Sequence, residues 1–265
     1  MIAFTAAQLQ ALRQLAELWN DTRFCLIGAS ALACQIDLPR PTDDLDISVS
    51  VSLDQLAACL PLLEGWKMNP RREHEWLSPA GIKVDVLPAG PSLLAAGEVI
   101  WPSTGERMNL TGLRLALEKA IAFEVEPGFS IPLAPVAVIA VLKMVAYLDR
   151  PAERERDLHD LAYILEHHVP PDDDRRFAPE VVDAGVEFEH ASAYLLGHDL
   201  RQLANDAERQ GVEHFVARVR DERHPSATQG RMARLGPSSW NRDPDELLAR
   251  VEAFVQAFGG DLEKG

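Results

Sequence analysis

Asp44 and Asp46 stand two residues apart in the run Pro41-Thr42-Asp43-Asp44-Leu45-Asp46-Ile47. Alternate side chains on a strand share a face, so the two carboxylates would project together while Leu45 and Ile47 enter a core. Like charges held that close repel, and a divalent cation such as Mg2+ or Mn2+ relieves the repulsion. The plainer alternative for so short a motif is a solvated strand edge or a polar turn.

Three further features bear on that pair. Gly28-Ala29-Ser30 follows a short apolar run, where free backbone N–H groups and the Ser30 hydroxyl could hold a phosphate; a simple glycine turn with Ser30 as a helix cap is the alternative. Asp85 lies in Ile82-Lys83-Val84-Asp85-Val86-Leu87, where alternation sends Val84 and Val86 to the apolar side and puts Asp85 on the face of Lys83 and Leu87. A third carboxylate there would complete a two-metal site, in which one ion activates an attacking hydroxyl and the other steadies a triphosphate. Otherwise Asp85 is an exposed residue paired with Lys83. Lys143 is the only charge between Pro135 and Leu148, and an ammonium in so apolar a run needs a counter-charge or a route to water. A triphosphate would serve, as would Asp157 or Asp160.

The elements that must position these residues follow from periodicity and punctuation. Thr5 caps a helix over 6–19 with Leu9, Leu12, Leu15 and Leu18 on its apolar side. A strand over 23–27, the Gly28 turn and a helix over 29–35 come next, then a half-buried strand over 45–51 and a helix over 53–63 capped by Ser52. Residues 75–77 and 83–87 flank Pro79-Ala80-Gly81 as a hairpin, and 99–101 add a strand. A helix over 113–122 precedes an extended hairpin over 123–132 turning at Pro127-Gly128.

From Pro135 the pattern becomes helical: 136–149, 153–167, 184–209, 213–222 and 244–258, with polar connections at 169–176 and 224–242. Asp243, Pro244 and Glu246 form an N-terminal signature for the last helix, and Gly259-Gly260 stops it. The fold class expected is α+β, a mixed sheet with flanking helices over 1–133 followed by an all-helical domain over 134–265. There are no internal repeats and no low-complexity tract.

The whole chain bounds what the site can serve. Its 265 residues, 47% hydrophobic and 25% charged, describe an ordinary globular protein. Twenty-six Lys+Arg against 41 Asp+Glu leave a net charge of -15, which argues against a broad electrostatic grip on nucleic acid. Cys25, Cys34 and Cys59 stand at no metal-ligand spacing, and a reducing cytosol suits them. The N-terminus lacks a signal-peptide pattern and 135–148 is too short to span a bilayer, so a cytoplasmic protein without membrane contact is expected. His159, His167 and His168 have no zinc-ligand partners in spacing, and Arg231, Arg234 and Arg242 read as surface-loop residues rather than as a polyanion contact.

The order of Gly28-Ala29-Ser30, Asp44-Leu45-Asp46 and Asp85 resembles the nucleotidyltransferase superfamily typified by DNA polymerase β. With Arg40-x-Thr42-x-Asp44-Leu45-Asp46, Lys143 in Val141-Leu142-Lys143-Met144, and Asp157-Leu158-His159-Asp160-Leu161, the chain over 24–166 is more closely similar to the AbiEii/AbiGii toxin-type nucleotidyltransferases. That resemblance implies that Gly28 and Ser30 meet phosphate, that Asp44 and Asp46 bind Mg2+, and that Asp85 completes the site or acts as base. It also implies that Lys143 meets the nucleotide phosphates and that Asp157 supports that end of the site. Ala29 departs from the pattern, since a second glycine is common there.

The function expected is a metal-dependent transfer of a nucleoside monophosphate from an NTP to an acceptor hydroxyl, as a toxin of a toxin-antitoxin or phage-defence system with an antitoxin partner. tRNA, a protein hydroxyl and a small molecule are all consistent as the acceptor. The rival readings are a nucleotide-binding or interaction protein of the same fold without transfer activity, and, more remotely, a glycosyltransferase using Asp-x-Asp.

Overall fold

A computed structural model describes residues 4–40, 42–221 and 228–259. Pro41, Glu222, residues 224–227 of the expected polar connection and Gly260 of the expected helix stop lie outside the described residues. The chain divides into two compact units, Met1–Ile139 and Ala140–Gly265.

The first unit opens with α1 (Ala6–Leu18). Thr5 and Gln8 cap it reciprocally, each side chain serving the other's backbone N–H, and Leu12 and Leu15 are buried on its inner face. β1 (Phe24–Ile27) leads directly into α2 (Gly28–Ala33), and β2 (Leu45–Val49) leads to α3 (Leu53–Cys59), capped by Ser52 and Gln55. A 3-10 turn over Leu60–Leu62 follows, so the helix expected over 53–63 changes its winding where Pro61 enters.

Next come β3 (Lys67–Asn69), which the sequence reading did not anticipate, β4 (Arg72–Leu77) and β5 (Lys83–Pro88). α4 (Pro91–Ala96) precedes a separate two-stranded ladder of β6 (Glu98–Ile100) and β7 (Arg107–Asn109). α5 (Leu113–Lys119) stops before the 122 expected, because Ala120 turns extended and Ile121 starts β8 (Ile121–Glu126) against β9 (Phe129–Leu133).

Seven strands form one mixed sheet in the order β3-β4-β5-β2-β1-β9-β8. β2 is antiparallel to β1 and parallel to β5, while β4 runs antiparallel to β5. Leu45, Ile47, Val84 and Val86 are wholly buried, and the residues between them, Asp46 and Asp85, look the other way. The period-two pattern thus separates a hydrophobic face from a face able to carry charge.

α6 (Val136–Asp149) straddles the division, and α7 (Glu155–His167), α8 (Pro179–Asp183), α9 (Ala191–Leu203), α10 (Asp206–Val219), α11 (Gln229–Leu235) and α12 (Pro244–Gly259) belong to the second unit. The single helix expected over 184–209 is interrupted. Ala204 is extended, and Asn205 caps α10 with Glu208 completing a capping box, which also absorbs the helix expected from 213. The connection expected over 224–242 contains α11. α9 and α12 approach closely at Gly197, where any side chain would collide with the Phe254 carbonyl.

Candidate functional site

The register of three neighbouring strands assembles the acidic residues. Asp46 of β2 pairs with Asp85 of β5, and Asp85 pairs in turn with Glu75 of β4. Side chains directly opposite one another on paired strands share a face, so Glu75, Asp85 and Asp46 form a row across the sheet. On the other side of β2, Asp46 pairs with Ile27, the last residue before the Gly28 turn.

Asp44 lies just before β2 rather than on it, which corrects the expectation of a carboxylate pair borne by one strand. Side chains take the backbone acceptors here in place of a strand ladder. The Ser30 hydroxyl donates to the Asp44 carbonyl oxygen at 2.6 Å, and Gln8 Nε2 donates to the carbonyls of Thr42 (3.3 Å) and Asp43 (3.4 Å). Ser30 is buried, 3.3 Å from the Thr42 hydroxyl, so its oxygen fastens the loop that carries Asp44.

Lys83 neutralises Asp44. Its Nζ lies 2.9 Å from Asp44 Oδ2 and 3.9 Å from Glu75 Oε2. Burial works against the ammonium, but the hydrogen bond to Asp44 and the charges of Asp85, Asp44 and Glu75 outweigh it and raise the Lys83 pKa. Glu75 is itself anchored, its Oε1 accepting from Asn69 Nδ2 at 2.7 Å. Gln8, Glu75 and Lys83 were not singled out as site residues from sequence. The Thr5–Gln8 capping box was readable there, but the contacts that tie it to Asp44 are long-range.

Gly28 has φ +69°, a conformation that favours glycine. A Cβ on it would stand 2.8 Å from Asp46 Cγ and closer still to Asp46 Oδ2. The Asp46 carboxylate therefore occupies the space over the Gly28 turn. Gly28, Ser30, Asp44, Asp46 and Asp85 are thus drawn together within the first unit.

Lys143 and Asp157 meet within the second unit. Lys143 Nζ lies 3.0 Å from Asp157 Oδ1 and 2.6 Å from Asp160 Oδ2, and all three side chains are buried. Burial disfavours the ammonium, yet the two carboxylates outweigh it and hold the Lys143 pKa above its ordinary value. Asp157 Oδ2 is buried without a hydrogen-bond partner among the described residues. Of the alternatives open for Lys143, the internal ion pair is the one the structure contains.

Asp44, Asp46 and Asp85 offer the hard oxygen donors that Mg2+ or Mn2+ takes, and their donor chemistry fits such an ion. No three His, Cys, Asp or Glu side chains among the described residues already converge in a metal-holding group. Asp44, beside the acidic row, is paired with Lys83. The histidines are otherwise engaged: His159 stacks on Tyr163 at 4.6 Å, and His168 Nε2 lies 2.8 Å from Asp199 Oδ2. Burial pushes the Cys25 thiol up to about 12 and Cys34 up to about 11, which leaves both inert as nucleophiles at neutral pH. Arg231 sits in α11 rather than in a loop, with Nη2 on the Pro151 carbonyl at 3.2 Å and Nε 3.4 Å from Glu155. No described helix is long and apolar enough to cross a membrane.

Known proteins can be set beside this geometry. No curated protein sequence matches the chain. Among solved structures, an antigenic nucleotidyltransferase-like protein from Paracoccidioides brasiliensis is 16% identical, the match covering 76% of this chain and 94% of that one with a TM-score of 0.39. JHP933 from Helicobacter pylori is 13% identical over 97% of both chains, with a TM-score of 0.40. Likenesses that distant carry no argument about the site. The family described as nucleotidyl transferase AbiEii toxin, type IV toxin-antitoxin system, matches residues 10–257. Its span takes in the acidic row, the Gly28 turn and the Lys143 cluster alike, and the chain belongs to the AbiEii family of nucleotidyltransferase toxins.

Proposed function

We propose that the protein transfers a nucleoside monophosphate from an NTP to an acceptor hydroxyl with the help of Mg2+ or Mn2+, held by Asp44, Asp46 and Asp85. One observation carries this reading: Asp46 and Asp85 stand opposite each other on adjacent parallel strands, with Asp44 fastened beside them and the Gly28 turn beneath Asp46. When bound, the metal would supply charge neutralisation for the triphosphate and for the acceptor oxygen. The chain's own contribution is positioning. Ser30 and Gln8 hold the loop of Asp44, and the open backbone at Gly28 leaves room for Asp46. By the family resemblance, Gly28 and Ser30 would meet the phosphates; the same resemblance gives Lys143 and Asp157 a nucleotide role, whereas here they form a buried ion pair within the second unit. An antitoxin protein as partner belongs to the same reading.

The test is incubation of the purified protein with each labelled NTP and Mg2+ in a cell extract. Label should pass to one class of macromolecule or small acceptor, and Asp44→Ala and Asp46→Ala should each abolish it. Full transfer by both variants would end the assignment. The Lys83 contact that already neutralises Asp44 favours a second reading, a nucleotide-binding protein without transfer activity. Calorimetric NTP binding indifferent to Mg2+ would support that one.

A further inference from the structure

We propose that Lys83 is a tethered counter-cation that occupies Asp44 in place of the divalent metal, and that metal binding moves its ammonium from Asp44 to Glu75. The inference rests on the reading of Asp44, Asp46 and Asp85 as metal ligands and deepens it by naming what competes for the site.

The register makes Lys83 part of the acidic face. Lys83 and Asp85 are alternate residues of β5, and Leu45 pairs with Val84, which brings Lys83 level with Asp44. The side chain reaches across the strand boundary to Asp44 Oδ2 at 2.9 Å. Asp46, Asp85 and Glu75 share one face of three adjacent strands with Asp44 just before β2, and the charges of Asp85, Asp44 and Glu75 act on Lys83. An ammonium hydrogen-bonded to Asp44 and a divalent ion held by the same carboxylate would be neighbouring cations that repel, so the two compete for Asp44.

Glu75 provides the place to go. Its Oε2 is 3.9 Å from Lys83 Nζ and also 3.9 Å from Nη1 of the exposed Arg72, beyond hydrogen-bond reach of either but inside ion-pair range, and its other oxygen is fixed by Asn69. It projects from β4, on the far side of Lys83's own strand from Asp44. A flexible four-carbon stem lets the ammonium close that gap without any movement of the backbone. The exchange keeps Lys83 paired throughout, while Asp44 becomes available to join Asp46 and Asp85.

The test titrates Mn2+ alone, without nucleotide, into the full-length protein and follows the free ion by electron paramagnetic resonance. Wild type should bind Mn2+ and Asp44→Asn should lose it. Lys83→Met should bind roughly threefold to fivefold more tightly than wild type, the equivalent of one half-exposed ion pair removed from competition. Glu75→Gln should bind more weakly than wild type, because the displaced ammonium loses its receiver. In the double variant the Glu75 effect should vanish. Lys83→Gln, a polar replacement at this half-exposed position, repeats the measurement should Lys83→Met fold poorly by circular dichroism. Unchanged or weaker Mn2+ binding in folded Lys83 variants, with wild type binding through Asp44, would overturn the competition alone. Wild type that binds no Mn2+, or an Asp44→Asn variant that binds it normally, would overturn the metal reading and this inference with it.

Discussion

The carboxylate of Asp46 lies over the backbone of Gly28, in the volume that a side chain at position 28 would fill. Glycine is required there twice over, by its φ of +69° and by the carboxylate above it. The turn and the acidic residue are therefore one device: the end of β1 is kept bare so that a charged group of β2 can rest on it.

Gly28→Ala should accordingly damage the site more than the fold. The left-handed conformation alone costs an alanine about 1 kcal/mol, and the methyl group must also push Asp46 aside. We expect a modest fall in melting temperature together with loss of labelled-nucleotide transfer. A variant with wild-type transfer would mean that the position of Asp46 is immaterial.

Gln8 joins helix α1 to the loop of Asp44, and its two ends can be separated by mutation. Oε1 accepts from the Thr5 backbone N–H at 2.9 Å, whereas Nε2 donates to the Thr42 and Asp43 carbonyls. Gln8→Glu keeps the capping acceptor and exchanges the donor for a carboxylate facing two carbonyl oxygens. The variant should lose about 1–2 kcal/mol of stability. Amide hydrogen exchange should accelerate over residues 42–45 while α1 stays protected, and unchanged exchange across that loop would show that Gln8 does not hold it.

What could be read from sequence at this site was local. The Gly28 turn, the alternation around Asp46 and Asp85 and the Thr5 cap each declare themselves within a few residues. The site also needs β5 to lie beside β2, so that Asp85 meets Asp46, and β4 to lie beyond it, so that Glu75 joins the row. The pairing of β2 with β5 joins residues distant in sequence, and side-chain alternation fixes a face without naming the neighbour, whereas β4 and β5 are the hairpin expected around Pro79-Ala80-Gly81. The same limit hid the bond from Ser30 to the Asp44 carbonyl. The break at Ala204 is different in kind. Asn205 and Glu208 carry a legible capping signal, overridden in the reading by the helix-forming residues on either side.

Lys143 is held between Asp157 and Asp160 with almost no solvent access. Lys143→Met would leave two neighbouring buried carboxylates without their cation, a loss of about 3–5 kcal/mol. Urea unfolding at neutral pH should show a much lower midpoint. Adding Asp160→Asn should recover part of the loss by removing one of the stranded charges. If Lys143→Met unfolds at the wild-type midpoint, the cluster contributes nothing to stability.

Asp199 gives the second unit a defined acid response. Burial opposes its charge, but the hydrogen bonds from His168 (2.8 Å) and Arg175 (2.5 Å), with their positive charges, hold its pKa down to about 2 from an ordinary 3.8. Because the folded value lies below the unfolded one, the stabilisation is complete above about pH 4 and is lost as the pH falls toward 2. The full displacement corresponds to about 2 kcal/mol, and partial solvent access of the pair reduces this to about 1 kcal/mol. Asp199→Asn should be less stable than wild type at pH 5, and the gap should narrow at pH 3. Urea midpoints of both proteins at the two pH values decide it, since a gap of constant size would place the effect of Asp199 in packing rather than in its charge.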